Sequence, residues 1–204
     1  MIDTKVKDGL FEKPEETRFK KGSILLKPGE KIEKIYYLKH GNVRMYKKSP
    51  AGDVTIHIFK KGSFFPIALF IGKLMNKYYF QALTNIKVKI SAPEKVVRFL
   101  KDEPEVLFDL TKRLSKGLEG MASRITENLG ERVDKKLLST IKYLSQSFGK
   151  EEKGFVRISL PLSHNDLASW LGISRETVSR EMKKLAKSGQ ISYKYKQISL
   201  IKKN

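Results

Sequence analysis

Short runs of alternating apolar and polar residues, separated by glycine-containing turns, occupy the first hundred residues of the chain. The runs cover residues 23–26, 34–38, 43–46, 54–59 and 86–90. The turns between them include Pro28-Gly29, Gly41-Asn42 and Lys61-Gly62. Evenly spaced strands with glycine turns are typical of an antiparallel barrel or sandwich. We therefore predict an antiparallel β-barrel domain over residues 1–102.

The pattern changes to a helical period after Pro104, a residue suited to the first turn of a helix. Apolar residues three or four positions apart then form one stripe: Leu107, Leu110, Leu114, Leu118, Met121, Ile125 and Leu129. Such a stripe needs a partner surface, which is either the barrel or the same helix of a second copy. Gly117, Gly120 and Ala122 would allow close approach of two helices. We expect a dimer whose interface contains the six positions from Leu107 to Ile125, and we assign residues 103–132 to this helix.

Two short amphipathic helices around a tight turn are predicted between Ser163 and Lys187. Ser163 and Asp166 have the spacing of a capping box, and apolar residues follow at helical intervals: Leu167, Trp170 and Leu171. Gly172 supplies the left-handed backbone that ends the first helix, and Ser174 is suited to cap the second. This is the pattern of a helix-turn-helix.

The second helix of this pair divides into two faces. Its inward positions are Val178, Met182, Leu185 and Ala186. The other side of its first two turns carries Arg175, Glu176, Ser179 and Arg180. In a helix-turn-helix these turns enter the major groove, where arginine donates to guanine and glutamate accepts from cytosine. A helical hairpin with solvated charges would have the same period, but it has little reason to gather arginine and glutamate on one short face. We therefore predict that these four side chains read DNA bases.

A strand pair completes the C-terminal part. Residues 191–193 and 197–201 alternate apolar and polar positions around Lys194-Tyr195-Lys196. This predicts a hairpin whose basic tip can lie against phosphates, with Lys194 and Lys196 as contacts. Residues 133–204 are thus predicted to be a winged helix-turn-helix, and residues 147–154 a mobile loop before the reading helices.

The charge of the chain supports a nucleic-acid partner. The 204 residues carry a formal net charge of +20. Residues 135–204 hold 15 Lys and Arg against 5 Asp and Glu, while the remaining 134 residues have the same net charge of +10. Positive charge is therefore densest in the helix-turn-helix portion, as binding to double-stranded DNA requires.

The composition also excludes several kinds of chemistry. The chain has no cysteine, so it has no disulfide, cysteine-ligated metal or thiol nucleophile. His40, His57 and His164 do not have the spacing of a metal site, and two histidines in the barrel do not supply the ligands of an enzymatic cupin. The longest apolar stretch, 67–71, is too short to cross a membrane. We expect a cytoplasmic protein that is not an enzyme, with no catalytic residue, metal or cofactor.

Barrel, long helix and winged helix-turn-helix in this order resemble the catabolite-activator (Crp/Fnr) family of bacterial transcription regulators. The likeness is strongest over residues 173–180, Ile-Ser-Arg-Glu-Thr-Val-Ser-Arg, and extends to barrel turns at Gly22, Gly29-Glu30, Gly41-Asn42-Val43 and Gly62. It implies a barrel of the double-stranded β-helix, cyclic-nucleotide-binding type. It also implies a homodimer that regulates transcription from a palindromic DNA site.

The same resemblance implies roles for individual residues. TGA-containing half-sites would be read by Arg175, Glu176 and Arg180, with Ser179 beside them. Phosphates would be held by Ser163, His164 and Asn165, to which we add Ser174 and Thr177 at the start of the reading helix. RNA polymerase is the further partner that the family implies.

The chain departs from the family where cyclic-AMP-binding members hold the nucleotide phosphate. Those members have a Gly-Glu pair and, further along, an Arg-Ser pair whose arginine neutralises the phosphate. Here the matching stretch, 62–70, contains no Glu, and the later pair falls at Asn76-Lys77. Because a phosphate buried without such partners is costly, we expect no control by cyclic AMP held in the usual way. Lys73 or Lys77 could serve an atypical anion, whereas Phe64-Phe65-Pro66 favours an apolar effector or none.

One function of another class has to be weighed against DNA recognition. A ligand-binding barrel protein could use a basic C-terminal part to dock on RNA or on an acidic protein. Selective binding to a palindrome of TGA half-sites over random DNA separates the two hypotheses.

Overall fold

The structure, a computed structural model, describes residues 10–11, 16–50, 52–130 and 132–202, without the side chains of residues 127–130. These residues form two compact units. The first unit contains the chain up to Lys47 together with Ile56–Gly117, and the second contains Lys48–Thr55 with the chain from Leu118 onward.

Eight strands in two four-stranded sheets build the N-terminal part. They are β1 (Thr17–Phe19), β2 (Ile24–Leu26), β3 (Ile35–His40), β4 (Val43–Ser49), β5 (Gly52–Phe59), β6 (Phe64–Phe65), β7 (Tyr79–Ala82) and β8 (Ile86–Ser91). The sheet orders are β1-β8-β3-β6 and β2-β7-β4-β5. The predicted fold class is confirmed, but the two antiparallel sheets remain open rather than closing into one barrel. Alternation predicted five of these strands and missed β1, β6 and β7, which are at most four residues long.

The two residues of β6 connect two separate hydrophobic cores. Because successive side chains of a strand point to opposite faces, Phe64 packs on Tyr37, with ring centroids 4.7 Å apart, while Phe65 faces the other way. Phe65 stacks on the rings of Tyr36, Phe59 and Phe80. Both phenylalanines are buried, so each fills a core of the first unit.

Helices cover the core that contains Phe64. After α1 (Ile67–Ile71) come α2 (Pro93–Asp102) and the long α3 (Pro104–Gly130), which confirms the predicted long helix. Val96 and Leu100 of α2 and Val106 and Leu110 of α3 are buried in this core. Leu110 therefore belongs to the core of the first unit, and its predicted place at a dimer interface is corrected. Packing against the sheet, the alternative use of the apolar stripe, accounts for this first part of α3.

Apart from Leu110, the apolar stripe of α3 is largely exposed. Leu118 is 69% exposed, Met121 is half-buried, and other large apolar side chains of the stripe also face solvent: Leu107, Leu114 and Ile125. The side chain of Leu129 lies outside the described part of the structure. The stripe therefore leaves apolar surface uncovered in a single copy of the chain.

The glycines of α3 serve contacts within the chain. A Cβ at Gly120 would lie 2.7 Å from Cε2 of Tyr143, and a Cβ at Gly117 would lie 3.4 Å from Cε1 of His57. Distances under about 3 Å do not occur for real Cβ atoms, so the Tyr143 ring requires glycine at position 120. Gly120 therefore makes room for Tyr143 within the chain, whereas the distance at Gly117 is an ordinary contact, and the expectation that these glycines allow close approach of two helices stays a prediction.

Beyond the end of α3, the described residues of the second unit form three helices and a small sheet. Its elements are α4 (Val133–Phe148), β9 (Gly149–Glu152), β10 (Phe155–Ile158), α5 (His164–Leu171), α6 (Arg175–Lys187), β11 (Ile191–Lys194) and β12 (Gln197–Ile201). The sheet order is β11-β12-β10-β9, and the pairs are antiparallel. The predicted helix-turn-helix and the predicted final strand pair are confirmed.

The predicted loop at 147–154 is wrong, because α4 runs to Phe148 and a hairpin follows it. Glu152 pairs with Phe155 in the register of β9 and β10, so that Lys153 and Gly154 form the turn. Gly154 has a φ of +83°, a conformation that favours glycine. Glu152 accepts from Nη2 of Arg157 at 2.7 Å, which gives one of the apparent loop charges a partner across the hairpin.

Arg124 of α3 joins three segments of the second unit. Its Nη1 donates to the backbone oxygen of Thr55 at 3.0 Å, and its guanidinium carbon lies 4.7 Å from the centroid of the Trp170 ring. The hydroxyls of Thr55 and Ser169 are 2.9 Å apart. Burial lowers the pKa of Arg124, but a guanidinium keeps its charge near neutral pH, so the backbone oxygen and the indole face stabilise a buried cation.

Candidate nucleic-acid interface

The start and end of α5 are built as the sequence predicts. The Ser163 side chain accepts from the backbone N–H of Asp166, and the Asp166 carboxylate accepts from the backbone N–H of Ser163 at 2.7 Å, which completes a capping box. Gly172 ends the helix with a φ of +67°. Ser174 then caps α6 by accepting from the backbone N–H of Thr177 at 3.1 Å. These local hydrogen bonds set the tight turn between the two helices.

Packing fixes which side of α6 faces solvent. Val178, Met182 and Leu185 are buried, while Ala186 is half-buried. On α5, Leu167, Trp170 and Leu171 are buried as well. Since residues three and four apart share a helix face, burying this stripe turns the polar residues of α6 outward. The inward face predicted for α6 is therefore confirmed.

The outward face of α6 forms one continuous polar surface. An open depression is lined there by Arg175, Glu176, Ser179, Arg180, Lys183 and Lys184. The structure thus brings together the four predicted base readers and adds Lys183 and Lys184. The two lysines were recognisable from sequence, because they continue the face at three and four positions beyond Arg180.

The hydroxyls expected to contact phosphates differ in whether they have a proton free to donate. The Ser163 hydroxyl donates to the Asp166 carboxylate and accepts from the Asp166 backbone, so its proton is used within the cap. A phosphate oxygen needs a donor, so the cap leaves this hydroxyl no proton for one, and the phosphate role expected for Ser163 stays a prediction without support from this geometry. The hydroxyls of Ser174 and Thr177 are 2.9 Å apart. Only one of them donates to the other, so the pair keeps one proton for an outside acceptor.

His164 and Asn165 lie in the first turn of α5. Asn165 is exposed, and the His164 ring packs edge-on against Tyr193 with centroids 5.7 Å apart. Partial burial, with the positive charges of Arg175 and Lys183 nearby, holds the pKa of His164 below its ordinary value. A nearby anion would offset both effects, because it stabilises the protonated ring.

The tip of the β11–β12 hairpin is a two-residue turn. Lys194 pairs with Gln197, so that Tyr195 and Lys196 form the turn. Lys194 and Lys196 are exposed, as predicted for phosphate contacts. Tyr195 is 90% exposed and has a φ of +54°, which is uncommon for a residue with a side chain. Tyr195 was not predicted as a contact, because nothing in its local pattern separates an exposed turn tyrosine from a packed one.

The predicted effector residues do not form one pocket. Phe64 and Phe65 are buried in two different cores, and Pro66 is buried beside them. Lys73 and Lys77 are exposed in the segment that follows α1. Neighbouring strand residues point in opposite directions and the two lysines face solvent, so these five side chains do not line one described cavity, and their role in binding an effector stays a prediction.

Two kinds of feature are absent from the part of the chain that the structure describes. Among those residues, no three histidine, aspartate or glutamate side chains converge as a metal site would require. No described helix has the length and apolar character needed to cross a bilayer.

Comparison with known proteins gives consistent matches over almost the whole chain. Residues 16–103 match the family model of the cyclic nucleotide-binding domain, and residues 131–203 match that of the Crp-like helix-turn-helix domain. The global nitrogen regulator of Nostoc sp. PCC 7120 is 30% identical over 205 residues, which are 95% of this chain and 88% of the relative.

Solved structures agree with these matches. A transcriptional regulator of the CRP/FNR family from Thermus thermophilus superimposes with a TM-score of 0.71 at 28% identity, covering 92% of this chain and 94% of the other. A mutant of CooA from Carboxydothermus hydrogenoformans gives a TM-score of 0.79 at 19% identity, covering 96% and 85%, and is similar in fold.

The charges around His164 lead to a prediction for its titration. In the free protein the NMR signal of the ring should titrate below the ordinary value of 6.5, and Arg175→Gln should move the pKa upward by removing one of the nearby positive charges. Because the folded-state pKa is lowered, the folded protein binds this proton less readily than the unfolded chain. His164 should therefore contribute a loss of stability as the pH falls through the unfolded pKa toward the folded one. A His164→Gln variant assigns the signal and removes this part of the pH dependence. A pKa above 6.5 in the free protein would contradict the prediction.

Proposed function

Because this chain belongs to the Crp/Fnr family of transcription regulators, we propose that it binds, as a homodimer, a palindromic DNA site with TGA-containing half-sites. Membership makes the chain a DNA-binding transcription regulator and not an enzyme. The proposal adds the assembly, the kind of site, and independence from cyclic AMP.

The two-faced packing of α6 is the observation that carries the proposal. Its apolar stripe is buried against the other helices, and its opposite side presents Arg175, Glu176, Ser179 and Arg180 on one open surface. A helix of this width fits the major groove, where each base pair offers a distinct set of donors and acceptors. We assign base reading to these four side chains.

Phosphate contacts are assigned to the groups around the reading helix that have protons to donate. They are His164 and Asn165 at the start of α5, the hydroxyl pair of Ser174 and Thr177, and Lys194 and Lys196 of the hairpin tip. Such contacts fix the orientation of a protein on the duplex without selecting a sequence. Ser163 stays outside this set because its hydroxyl belongs to the cap.

The exposed stripe of α3 supports the homodimer. Leu107, Leu114, Leu118 and Ile125 are exposed in one copy, with Met121 half-buried among them. An isolated amphipathic helix face of this length is stabilised when a second copy covers it. A twofold axis would also place two α6 helices in successive major grooves about 34 Å apart, as a palindromic site requires.

Independence from cyclic AMP follows from the chemistry around α1. The segment from Gly62 to Gly72 contains no charged side chain. Lys73 and Lys77 are exposed, so they would meet a phosphate in water rather than in a closed site. A phosphate charge buried there would lose its hydration without gaining a charged partner.

The remaining parts of the proposal concern organisation and partners. We propose that residues 1–102 form the sensor-like domain, residues 103–132 the dimerisation helix, and residues 133–204 the DNA-binding domain. Double-stranded DNA and a second copy of the chain are the direct partners. RNA polymerase is the further partner through which a cytoplasmic regulator of this kind acts.

Base readout is tested with Arg180→Ala. Loss of a guanidinium that donates to guanine should weaken binding to the palindrome by about 1–3 kcal/mol and flatten the preference at one guanine. Lys196→Ala is the matched control and should weaken binding to all duplexes alike. Anisotropy titrations at two salt concentrations, with palindromic and random duplexes, measure both effects. An unchanged base preference in Arg180→Ala would refute the assignment, and equal binding of the unaltered protein to both duplexes would favour the RNA or acidic-protein alternative.

The dimer is tested by placing charge on the stripe. The double variant Leu114→Lys with Met121→Lys should run as a monomer in light scattering and lose palindrome binding, because like charges would be buried together. Glu119→Lys adds the same two units of charge at an exposed position away from the stripe and should remain dimeric. Circular dichroism should show intact helices in both proteins. A dimer that survives the double change would move the interface elsewhere.

Control by cyclic AMP is tested by thermal shift. A ligand that binds only the folded state at a hundredfold excess over its Kd stabilises by about 2.7 kcal/mol, which a melting curve resolves easily. We expect no shift with millimolar cyclic AMP or cyclic GMP, and a clear shift with the palindromic duplex as the positive control. Stabilisation by cyclic AMP that Lys73→Ala or Lys77→Ala abolishes would show that a lysine has replaced the family's arginine.

A further inference from the structure

Glu181 is a carboxylate buried within the most basic helix of the second unit. The 13 residues of α6 contain two acids, and Glu176 belongs to the outward face. The Glu181 side chain is only 6% exposed and directly precedes the buried Met182. A buried carboxylate is costly unless charged donors compensate for the lost water. The stability of this helix therefore depends on which donors reach Glu181.

Two cations of the outward face meet at one oxygen of Glu181. Nε of Arg180 donates to Oε1 at 3.1 Å, and Nζ of Lys184 donates to the same oxygen at 3.0 Å. The side chains of Arg180 and Lys184 are 65% and 61% exposed, so each reaches the carboxylate, Arg180 through Nε and Lys184 through its ammonium, while most of its surface stays in solvent. Glu181 is thus the fixed member of the group, and the two cations are held to it.

The protonation of Glu181 fits this arrangement. Hydrogen bonds from Lys184 and Arg180 keep the pKa of the carboxyl below its ordinary value, although desolvation acts in the opposite direction. The group therefore remains an anion near neutral pH and keeps accepting from both partners.

The atom of Arg180 that Glu181 holds matters for base reading. A guanidinium has five N–H donors, of which Nε carries one and the two Nη atoms carry four. Guanine is recognised by two parallel donors directed at O6 and N7. Binding at Nε therefore leaves both Nη atoms, the end of the fork, for the base. The contact also restricts the rotamers that the Arg180 side chain can adopt while it is made.

We propose that Glu181 is a specificity-determining positioning residue, which holds Arg180 by its Nε so that the Nη end of the guanidinium meets guanine in the major groove. This inference rests on the proposed base-reading role of Arg180. Glu181 itself does not touch the DNA. It improves discrimination because the reading side chain is ordered before binding, and a preorganised donor loses less conformational freedom when the complex forms. With Lys184 as a second cation at the same oxygen, the group of three side chains is net positive, so the carboxylate does not repel the duplex.

The experiment compares discrimination rather than affinity alone. The full-length protein is titrated by anisotropy against the palindrome with TGA half-sites and against the same duplex with TAA in both half-sites. The ratio of the two Kd values measures recognition of guanine in both half-sites, and each good arginine contact contributes about five- to 150-fold to it. Proteins compared are the unaltered chain, Glu181→Leu, Glu181→Gln, Lys184→Met, Arg180→Ala, and the double variant of Glu181→Leu with Arg180→Ala.

Glu181→Leu should lower the ratio at least threefold while binding to random duplex stays within twofold. Glu181→Gln keeps a carbonyl acceptor at the same place and should restore most of the ratio. Lys184→Met removes the other partner and should weaken all duplexes alike, leaving the ratio in place. In the Arg180→Ala background, Glu181→Leu should change the ratio by less than twofold, because the side chain that it positions is gone.

Four results would overturn the inference. An unchanged ratio in Glu181→Leu would show that Arg180 needs no support, and a tighter, equally selective complex would show that Glu181 competes with DNA for the guanidinium. If Glu181→Leu lowers the ratio as much in the Arg180→Ala background as in the unaltered protein, Glu181 would contribute only to the stability of the helix. If Arg180→Ala itself leaves the ratio unchanged, the proposed function fails at this contact and the inference fails with it. If Arg180→Ala lowers the ratio and Glu181→Leu does not, only the inference is refuted and the proposed function stands.

Discussion

The burial of one face of α6 is the constraint on which the candidate interface depends. Val178 and Met182 are fully buried, and Leu185 is nearly so. Each residue of a helix is rotated by about 100° from the one before, so fixing three residues of the inner stripe fixes the direction of every side chain outside it. The arginines at positions 175 and 180 are therefore aimed by apolar packing on the opposite side of the helix. Interactions that position α6, including the caps at Ser163 and Ser174, act on recognition through this packing.

The positive charges on the exposed side of α6 interact with two neighbouring groups, the Glu181 carboxylate and the His164 ring. In a helix with many cations and no anions, the lysine and arginine side chains would contact only solvent and would not be ordered by a protein partner. Here Glu181 binds Arg180 and Lys184 from a buried position, while the charges of Arg175 and Lys183 add to partial burial in lowering the pKa of His164. The contacts of Glu181 order two of the cations. The repulsion between Arg175, Lys183 and a protonated His164 would decrease if an anion bound nearby. Both properties suit a surface whose partner carries phosphates.

The long helix α3 serves two structural purposes along its length. Val106 and Leu110 complete the core of the first unit, and the apolar residues from Leu114 to Ile125 remain uncovered apart from the half-buried Met121. A single periodic stripe thus contains an intramolecular part and a part that is free for a second copy. Gly120 belongs to neither part of this stripe. The absence of a side chain there makes room for Tyr143 of α4. A glycine in a helix is therefore weak evidence for a helix–helix seam until its neighbours are known.

The sequence by itself determined the features that depend on residues close together in the chain. Periods of two and of three to four, the cap residues and the left-handed Gly172 predicted the larger strands, α3, the helix-turn-helix and the outward polar face of α6, because these signals are local. Contacts between distant residues were decided only by the tertiary structure. They include the partition of Phe64 and Phe65 between two cores and the burial of Leu110. The β9–β10 hairpin and the contact between Arg180 and Glu181 join residues close in the chain, but the strand pairing and the burial of Glu181 on which they depend are set by packing. A local pattern shows that a side chain needs a partner, but only the packing of the whole chain determines which partner it has.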